Sequence, residues 1–553
     1  LETRRNPDIA VKKRILLAFV KNPLDTYQKC VAGIQSLTRK EGGFLSSSLG
    51  TIAALTPRDF QVTLADENVQ PLPFGERFDI VGISAYPTQF DRVREVLAAF
   101  RRRGALGVLG GPAVSLNPDR WRDMADVLIL GEAERTWPRF LKDYLAGSHH
   151  PEYREIEFLD MSAAPMPDYR GLDSRVLRRY VGGVVQTSRG CPYRCEFCSA
   201  ITLNGRVVRN KPIPAVIAEV QQLYDMGFRV VWLTDENLAV QRDRARQLLQ
   251  ALRDWNRRHR HPMAFAASLS IDTARDDELL ELAAAAGVLR VGVGVESVNA
   301  ESLRETGKLQ NLRGDPMEHI RRFHEHGILV QGGCMVGFDH DDLSIFREQY
   351  EFFTRAGVPN VFVYPLQALP GSRLKERVVK EGRYIDPNDP IQARWRSSPG
   401  PHVPSLTNTF TIIPRRMTIE QLQAGAYWLL GRFYDWRAVT ERYRVFVEHY
   451  ERSPLRRRLE IPPVPPDLSD MGIVLRTVRH ILVGAGAEER RAFLEMFRIA
   501  GRSTHPQRFA LAMSVYLSAK SVESSVRSER PDYASIPYPT PDMGGPSVGV
   551  PPS

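Results

Sequence analysis

Cysteine is scarce in this chain, with five in 553 residues. A disulfide-held scaffold is therefore excluded. Long apolar runs are missing too: no stretch approaches the ~18 consecutive apolar residues of a membrane span. The opening LETRRNPDIAVKKRILLAF has a charged start, a short apolar run and no small-residue cleavage site, so no export signal is expected. Excess charge is modest: 75 Lys and Arg against 65 Asp and Glu give +10. The arginines are scattered (Arg101 to Arg103, Arg456 to Arg458) without an aromatic-interleaved basic stripe, which argues against nucleic acid as a partner. Anionic substrates or solvated faces explain the charge as well. Hydrophobic residues at 43% exclude global disorder. These absences point to a cytoplasmic protein of two to four domains, with no membrane span.

What is present is alternation. Residues 1–150 hold short apolar runs at Arg14 to Phe19, Phe78 to Tyr86, Gly107 to Gly111 and Asp126 to Glu132, with an amphipathic stretch between. That pattern predicts an α/β, Rossmann-like doubly wound parallel sheet. Turns after its strands contain Ser84, Gly111 and Gly131, where open α/β sheets bind ligands. Residues 151–180 read as a proline-rich linker. Residues 181–394 repeat strand and helix six times, which predicts a full or partial β/α barrel with polar residues at its strand ends. Residues 395–517 read as helical. Residues 518–553, rich in Pro, Ser and Gly, read as a disordered tail.

Three of the five cysteines fall within eight residues. SRGCPYRCEFCSA places Cys191, Cys195 and Cys198 in a Cys-x3-Cys-x2-Cys array directly after a strand. Three thiolates on one loop can ligate three irons of a [4Fe–4S] cluster and leave the fourth iron open for a substrate chelate. A zinc knob would want a fourth Cys or His, and residues 181–210 supply none. A redox Cys-x2-Cys pair would leave Cys191 unexplained. Cys30 and Cys334 read as buried hydrophobes.

The array, with Phe197 before its last cysteine, closely resembles that of the radical S-adenosylmethionine (SAM) enzymes. The resemblance implies a cluster that binds SAM through its amine and carboxylate and, once reduced, cleaves a carbon–sulfur bond. It places Phe197 near the adenine. It makes Asp235, Glu236 and Asn237, after the second barrel strand, the motif that accepts hydrogen bonds from the SAM amino group. Ser268 and Ser270 would reach the SAM carboxylate or ribose, and Glu296 and Ser297 the ribose. Gly337 and Leu369 would contact adenine. Gly292-x-Gly294 is a weak partial dinucleotide fingerprint, better explained by close backbone approach to SAM.

A Rossmann-like domain ahead of the cysteine loop is similar to the cobalamin-binding branch of that family. Several segments resemble the group containing hopanoid C-2 methylases: FDHDDLSIF (338–346), the ALPG turn and NTFTIIPRRM (408–417). Ser84, Gly111 and Gly131 would then line a cobalamin crevice. The Asp-x-His-x-x-Gly cobalt motif is absent, and no histidine precedes His149. Two possibilities stay open: a His-off cobalamin, or a domain that has lost cobalamin. The resemblance implies methyl transfer to an unactivated carbon of a small-molecule substrate, with flavodoxin or ferredoxin as electron donor. The alternative is a radical SAM reaction without methyl transfer: cyclisation, rearrangement, or aminocarboxypropyl transfer to a soft nucleophile.

Overall fold

The structure is a computed structural model that describes residues 12–21, 34–386, 410–463, 468–529 and 535–542. The chain divides into two compact units: residues 1–22 with 46–177, and residues 23–45 with 178–553. Its fifteen described strands run in chain order as β1 (Lys13–Phe19), β2 (Gly42–Leu45), β3 (Phe60–Asp66), β4 (Ile80–Ser84), β5 (Leu106–Gly110), β6 (Val127–Leu130), β7 (Glu152–Arg154), β8 (Tyr180–Val185), β9 (Ser188–Arg189), β10 (Arg209–Asn210), β11 (Val230–Leu233), β12 (Ala264–Leu269), β13 (Val288–Glu296), β14 (Leu329–Val336) and β15 (Asn360–Pro365).

The first unit is a parallel sheet in the order β3-β1-β4-β5-β6-β7. Ile15, Leu16, Leu17 and Ala18 of β1 are all buried, as expected of a strand covered on both faces. Helix Phe90–Arg101 buries Val93, Val96, Leu97 and Phe100, spaced along one helical face, with Asp91 in its first turn and Arg101 in its last. Helix Ala133–Leu145 presents Trp137, Phe140 and Leu141 to a second core that includes Ile15, Leu17 and Ile80. The strand order reverses between β1 and β4, a switch point of flavodoxin type, at whose carboxyl edge open sheets bind ligands.

The second unit carries a seven-stranded parallel sheet in the order β15-β14-β13-β12-β11-β8-β2. Its six strands from β8 onward, with intervening helices, form the α/β half-barrel expected from the sequence. Helices Ile419–Phe433, Trp436–Arg452, Leu468–Val483, Ala487–Arg502 and Arg508–Glu529 follow.

Three sequence expectations change. The 151–180 segment is more than a linker: β7 extends the first sheet, and Leu159, Met161 and Tyr169 are buried. The segment expected to sit within the first domain instead contributes β2 to the edge of the second sheet. Strands of three or four residues are too short for periodicity to register. The expected tail from Ser518 is helical to Glu529. Val515, Ala519, Val522 and Val526 recur on one buried face, so apolar spacing outweighs serine content. Beyond it, Gln421 Nε2 donates to Thr540 O at 2.9 Å, and Tyr538 packs edge-on against Trp428. Trp395 and residues 543–553 lie outside the described residues.

Candidate functional site

The cysteine loop leaves β8 at the carboxyl edge of the half-barrel. Cys195 is buried, while Cys191 and Cys198 are half-buried. Burial pushes the Cys191 and Cys198 thiols up, and the neighbouring cysteine sulfurs push further. Three thiolates here therefore call for a cationic group among them. Backbone bonds fix the loop. Cys191 N donates to Gly205 O at 3.1 Å, and Cys198 N to Cys195 O at 3.1 Å. Between them, Glu196 N donates to Thr306 O at 2.7 Å, and Glu196 O accepts from Leu374 N at 3.0 Å. Cys334 is fully buried in β14, away from this cluster in the chain, and Cys30 lies outside the described residues.

The acidic motif after β11 supports this loop. The Asp235 carboxylate is buried and accepts from Thr187 N (2.9 Å), Thr187 Oγ1 (2.8 Å), Ser188 Oγ (3.0 Å) and Ser188 N. It is thereby tied to the chain just before Cys191. Glu236 accepts from Gly190 N at 3.1 Å and from Asn204 Nδ2, beside Cys191. Asn237 Nδ2 donates to Ser270 Oγ at 3.1 Å, and Ser270 also bonds the Tyr193 hydroxyl. Burial pushes the Asp235 pKa up to about 6, although Thr187 and Ser188 hold it down.

We expect Asp235→Ala to strand these donors at roughly 1–3 kcal/mol each. Asp235→Asn keeps an acceptor and removes the charge, so it should be milder. Because the folded pKa exceeds the ordinary value, the folded state holds the extra proton. Wild-type stability relative to Asp235→Asn should fall from about pH 4 to about pH 6 and level off above. Anaerobic thermal melts across that range check both expectations.

The end of β13 holds the second part of the site. Glu296 has φ +62°, a conformation costly for a non-glycine residue and worth attention at a functional edge. A register shift falls between Gly294 and Glu296. A Cβ on Gly294 would lie 2.1 Å from Glu296 Oε1 and 2.8 Å from Lys308 Nζ, so Gly294 is needed to let this pair lie over the strand. Lys308 Nζ donates to Glu296 Oε1 at 2.7 Å, with both side chains nearly buried. Burial opposes the Lys308 charge, yet Glu296, Cys195 and Cys198 hold its pKa above the ordinary value. Its ammonium lies 5.8 Å from the Phe197 ring centroid. Gln310 Nε2 donates to Cys195 Sγ at 3.6 Å.

The other expected positions are distributed along the same edge. Phe197 packs with Phe338, Leu366, Ala368 and Leu374. Ser268 Oγ lies 3.8 Å from where a Cβ on Gly292 would stand, so Gly292 leaves an open approach beside it. Ser297 is buried, and its hydroxyl accepts from Asn299 N at 3.1 Å, so it caps its own turn. Leu369 O accepts from Ser372 N at 3.0 Å, and Gly371 O from Thr202 Oγ1 at 2.7 Å, which ties that turn to the helix after Cys198. Gly337 has φ +94° and donates to Asp341 Oδ2 at 3.0 Å.

Lys308, Gln310 and Arg377 escaped the sequence reading. Arg377 forks onto Glu196 at 2.9 and 3.0 Å and also reaches Asp339 (2.6 Å) and Glu305 (2.7 Å). Asp339 in turn binds Arg383 and Arg415. Glu196 sits between Cys195 and Phe197, so this ion network ends on the cysteine loop.

In the first unit, Ser84 and Gly111 meet at the carboxyl edge. Gly111 has φ +96°, and a Cβ there would lie 2.7 Å from Ser84 Oγ. Gly131 has φ +82°, and its N–H donates to Ser115 Oγ at 3.0 Å. A Cβ on Gly131 would stand 2.5 Å from Glu155 O, so chain packing already accounts for that glycine.

The donor set fits a cubane cluster. It comprises three thiols on one loop, a buried cation and an amide aimed at one sulfur. Among the described residues no group of three or more His, Cys, Asp or Glu side chains is already drawn together around a metal position. No described helix is long and apolar enough to cross a membrane. Residues 185–353 match the model of the Radical SAM superfamily. The chain is 32% identical over 340 residues to an uncharacterised methyltransferase of Synechocystis, covering 61% of this chain and 63% of that protein. It is 28% identical to the hopanoid C-2 methylase of Rhodopseudomonas palustris, over 62% of this chain and 68% of that one. It thus spans less than two thirds of the Synechocystis relative's length. In fold it is similar to OxsB, a cobalamin-dependent SAM radical enzyme, with TM-score 0.58 at 15% identity over 95% of this chain and 84% of that one. It is also similar to the radical SAM methyltransferase TsrM of Kitasatospora setae, with TM-score 0.52 at 16% identity over 66% and 78%. Residues 185–353 therefore match the Radical SAM superfamily, within a chain whose fold is similar to those of OxsB and TsrM.

Proposed function

We propose that this protein is a cobalamin-dependent radical SAM methyltransferase acting on an unactivated carbon of a small molecule. The observation that carries this reading is the thiol triad at the half-barrel's carboxyl edge, with the Lys308 ammonium beside it. Cys191, Cys195 and Cys198 would hold the cluster, and Ser84 and Gly111 would line the cobalamin crevice. When bound, the cluster supplies the electron that breaks a carbon–sulfur bond of SAM, and cobalamin supplies the methyl group.

The chain's own residues bind, orient and exclude water. Lys308 offers a buried cation to the SAM carboxylate, and Glu296 holds that cation in place. Glu236, beside Cys191, would offer the remaining lone pairs of its carboxylate to the SAM amino group, and Asp235 steadies the loop. The wall of Phe197, Phe338 and Leu366 gives the adenine an apolar surface. His149 and His150 precede β7, at the amino-terminal edge of a parallel sheet whose ligand crevice is at the carboxyl edge. That placement supports a His-off cobalamin. Relatives named as methylases of hopanoids and of bacteriochlorophyllides favour methyl transfer over the alternatives. A flavodoxin or ferredoxin would deliver the electron, and a reducing cytoplasm suits an oxygen-sensitive cluster.

Anaerobically reconstituted protein, given SAM, cobalamin, a reductant and candidate substrates, tests the reading. Deoxyadenosine together with S-adenosylhomocysteine is the expected product pair. Methylthioadenosine would overturn methyl transfer in favour of aminocarboxypropyl transfer. Cys195→Ala with Cys198→Ala should abolish SAM cleavage, read by chromatography of the nucleoside products.

A further inference from the structure

Gln310 lies in the short 3-10 turn Leu309–Leu312 and is 3% exposed. Its Nε2 donates to Cys195 Sγ at 3.6 Å, within range of an N–H···S bond. The turn that carries it is fastened on both sides. Asn311 Nδ2 donates to Gly294 O at 2.9 Å and to Val295 O at 2.7 Å, and Asn311 N donates to Lys308 O at 3.1 Å. Lys308, two residues before Gln310, is tied to Glu296. On the far side, Cys195 is followed by Glu196, which is fixed through its own backbone and by Arg377. Glu196 N also donates to Thr306 O, four residues before Gln310, so the segments carrying donor and sulfur are fastened to each other as well as to their surroundings.

We propose that Gln310 tunes the reduction potential of the cluster by hydrogen-bonding its Cys195 ligand. The proposal rests on the reading that the three cysteines hold a four-iron cluster. Reduction adds negative charge, part of which resides on the ligand sulfurs. An N–H donor to such a sulfur is worth more after reduction than before, so it raises the potential. A buried donor is unscreened by water and keeps that difference. Gln310 serves here as a tuning residue for electron acceptance, a role separate from holding iron or binding SAM.

Redox titration followed by electron paramagnetic resonance tests it on the reconstituted full chain. Gln310→Leu approximates the volume and removes the donor, and Gln310→Met does so with an unbranched side chain. Both should load iron as the wild type does and move the midpoint to lower potential. At the wild-type midpoint we expect about tenfold less reduced cluster relative to oxidised, equivalent to about 59 mV for one electron. Gln310→Glu, which places a carboxylate against the sulfur, should lower the midpoint further. Unchanged midpoints in the Leu and Met variants would overturn the proposal. So would loss of iron from both, which would make Gln310 a structural support of the loop. Absence of a four-iron signal in the wild type would instead overturn the cluster reading beneath it.

Discussion

Replacing Lys308 by Met is expected to abolish SAM cleavage and to cost the fold about 3–5 kcal/mol. The stability loss follows from Glu296. Its carboxylate is 11% exposed and receives the Lys308 ammonium at 2.7 Å, so the variant leaves a buried charge without its partner. The backbone of Glu296 is already in the left-handed region and is held there by Gln349 Nε2, which donates to its carbonyl at 2.9 Å. A neutral side chain at 308 therefore strains a residue with little freedom to turn outward. The catalytic loss has a different origin, because the same ammonium is the cation placed beside Cys195 and Cys198. Adding Glu296→Gln to Lys308→Met separates the two. The double variant should regain most of the stability, measured by anaerobic denaturant unfolding, and none of the turnover. Lys308→Met with wild-type stability and turnover would contradict both roles.

Arg377→Ala is expected to cost a comparable 3–5 kcal/mol, roughly, and to lower iron loading of the reconstituted protein. The guanidinium joins carboxylates from three separate segments: Glu196 in the cysteine loop, Glu305 before Lys308, and Asp339 after β14. Removing it leaves those carboxylates close together. Burial and the nearby Asp339 already push Glu305 up to about 7, so like charge is near its limit at neutral pH. Asp339 keeps Arg383 and Arg415, whereas Glu196 has no other ion pair among the described residues. The loop between Cys195 and Phe197 is therefore where the loss should appear. Arg377→Lys should recover little, since an ammonium cannot fork onto Glu196 and reach two further carboxylates together. Iron per chain after anaerobic reconstitution checks this, and full loading in Arg377→Ala would contradict it.

Local features were legible in the sequence. β1, β4, β8 and β13 are mostly apolar segments, and the cysteine triad is encoded within eight residues. The residues that support the triad were not legible, because their partners are distant. Gln310 lies 115 residues from Cys195, and Arg377 lies 181 from Glu196. No spacing rule joins a glutamine to a sulfur over such a distance; only the closing of the half-barrel does. Asp235 is legible as part of an acidic motif, but its partners within the chain are not. Its sequence neighbours mark it as acidic, while the register of β8 against β11 decides that it faces Thr187 and Ser188. Residues 518–529 were misread because serine content masked a helical stripe that continues from Val515 through Ala519, Val522 and Val526.

Iron and sulfide analysis of the anaerobically reconstituted chain, wild type beside Cys195→Ala with Cys198→Ala, tests most directly whether the thiol triad holds the catalytic cluster. The expected result is about four irons per wild-type chain, as one [4Fe–4S] cluster requires, and near-complete loss of iron together with deoxyadenosine formation in the variant. A variant that keeps its iron, or that cleaves SAM undiminished without it, would contradict this assignment.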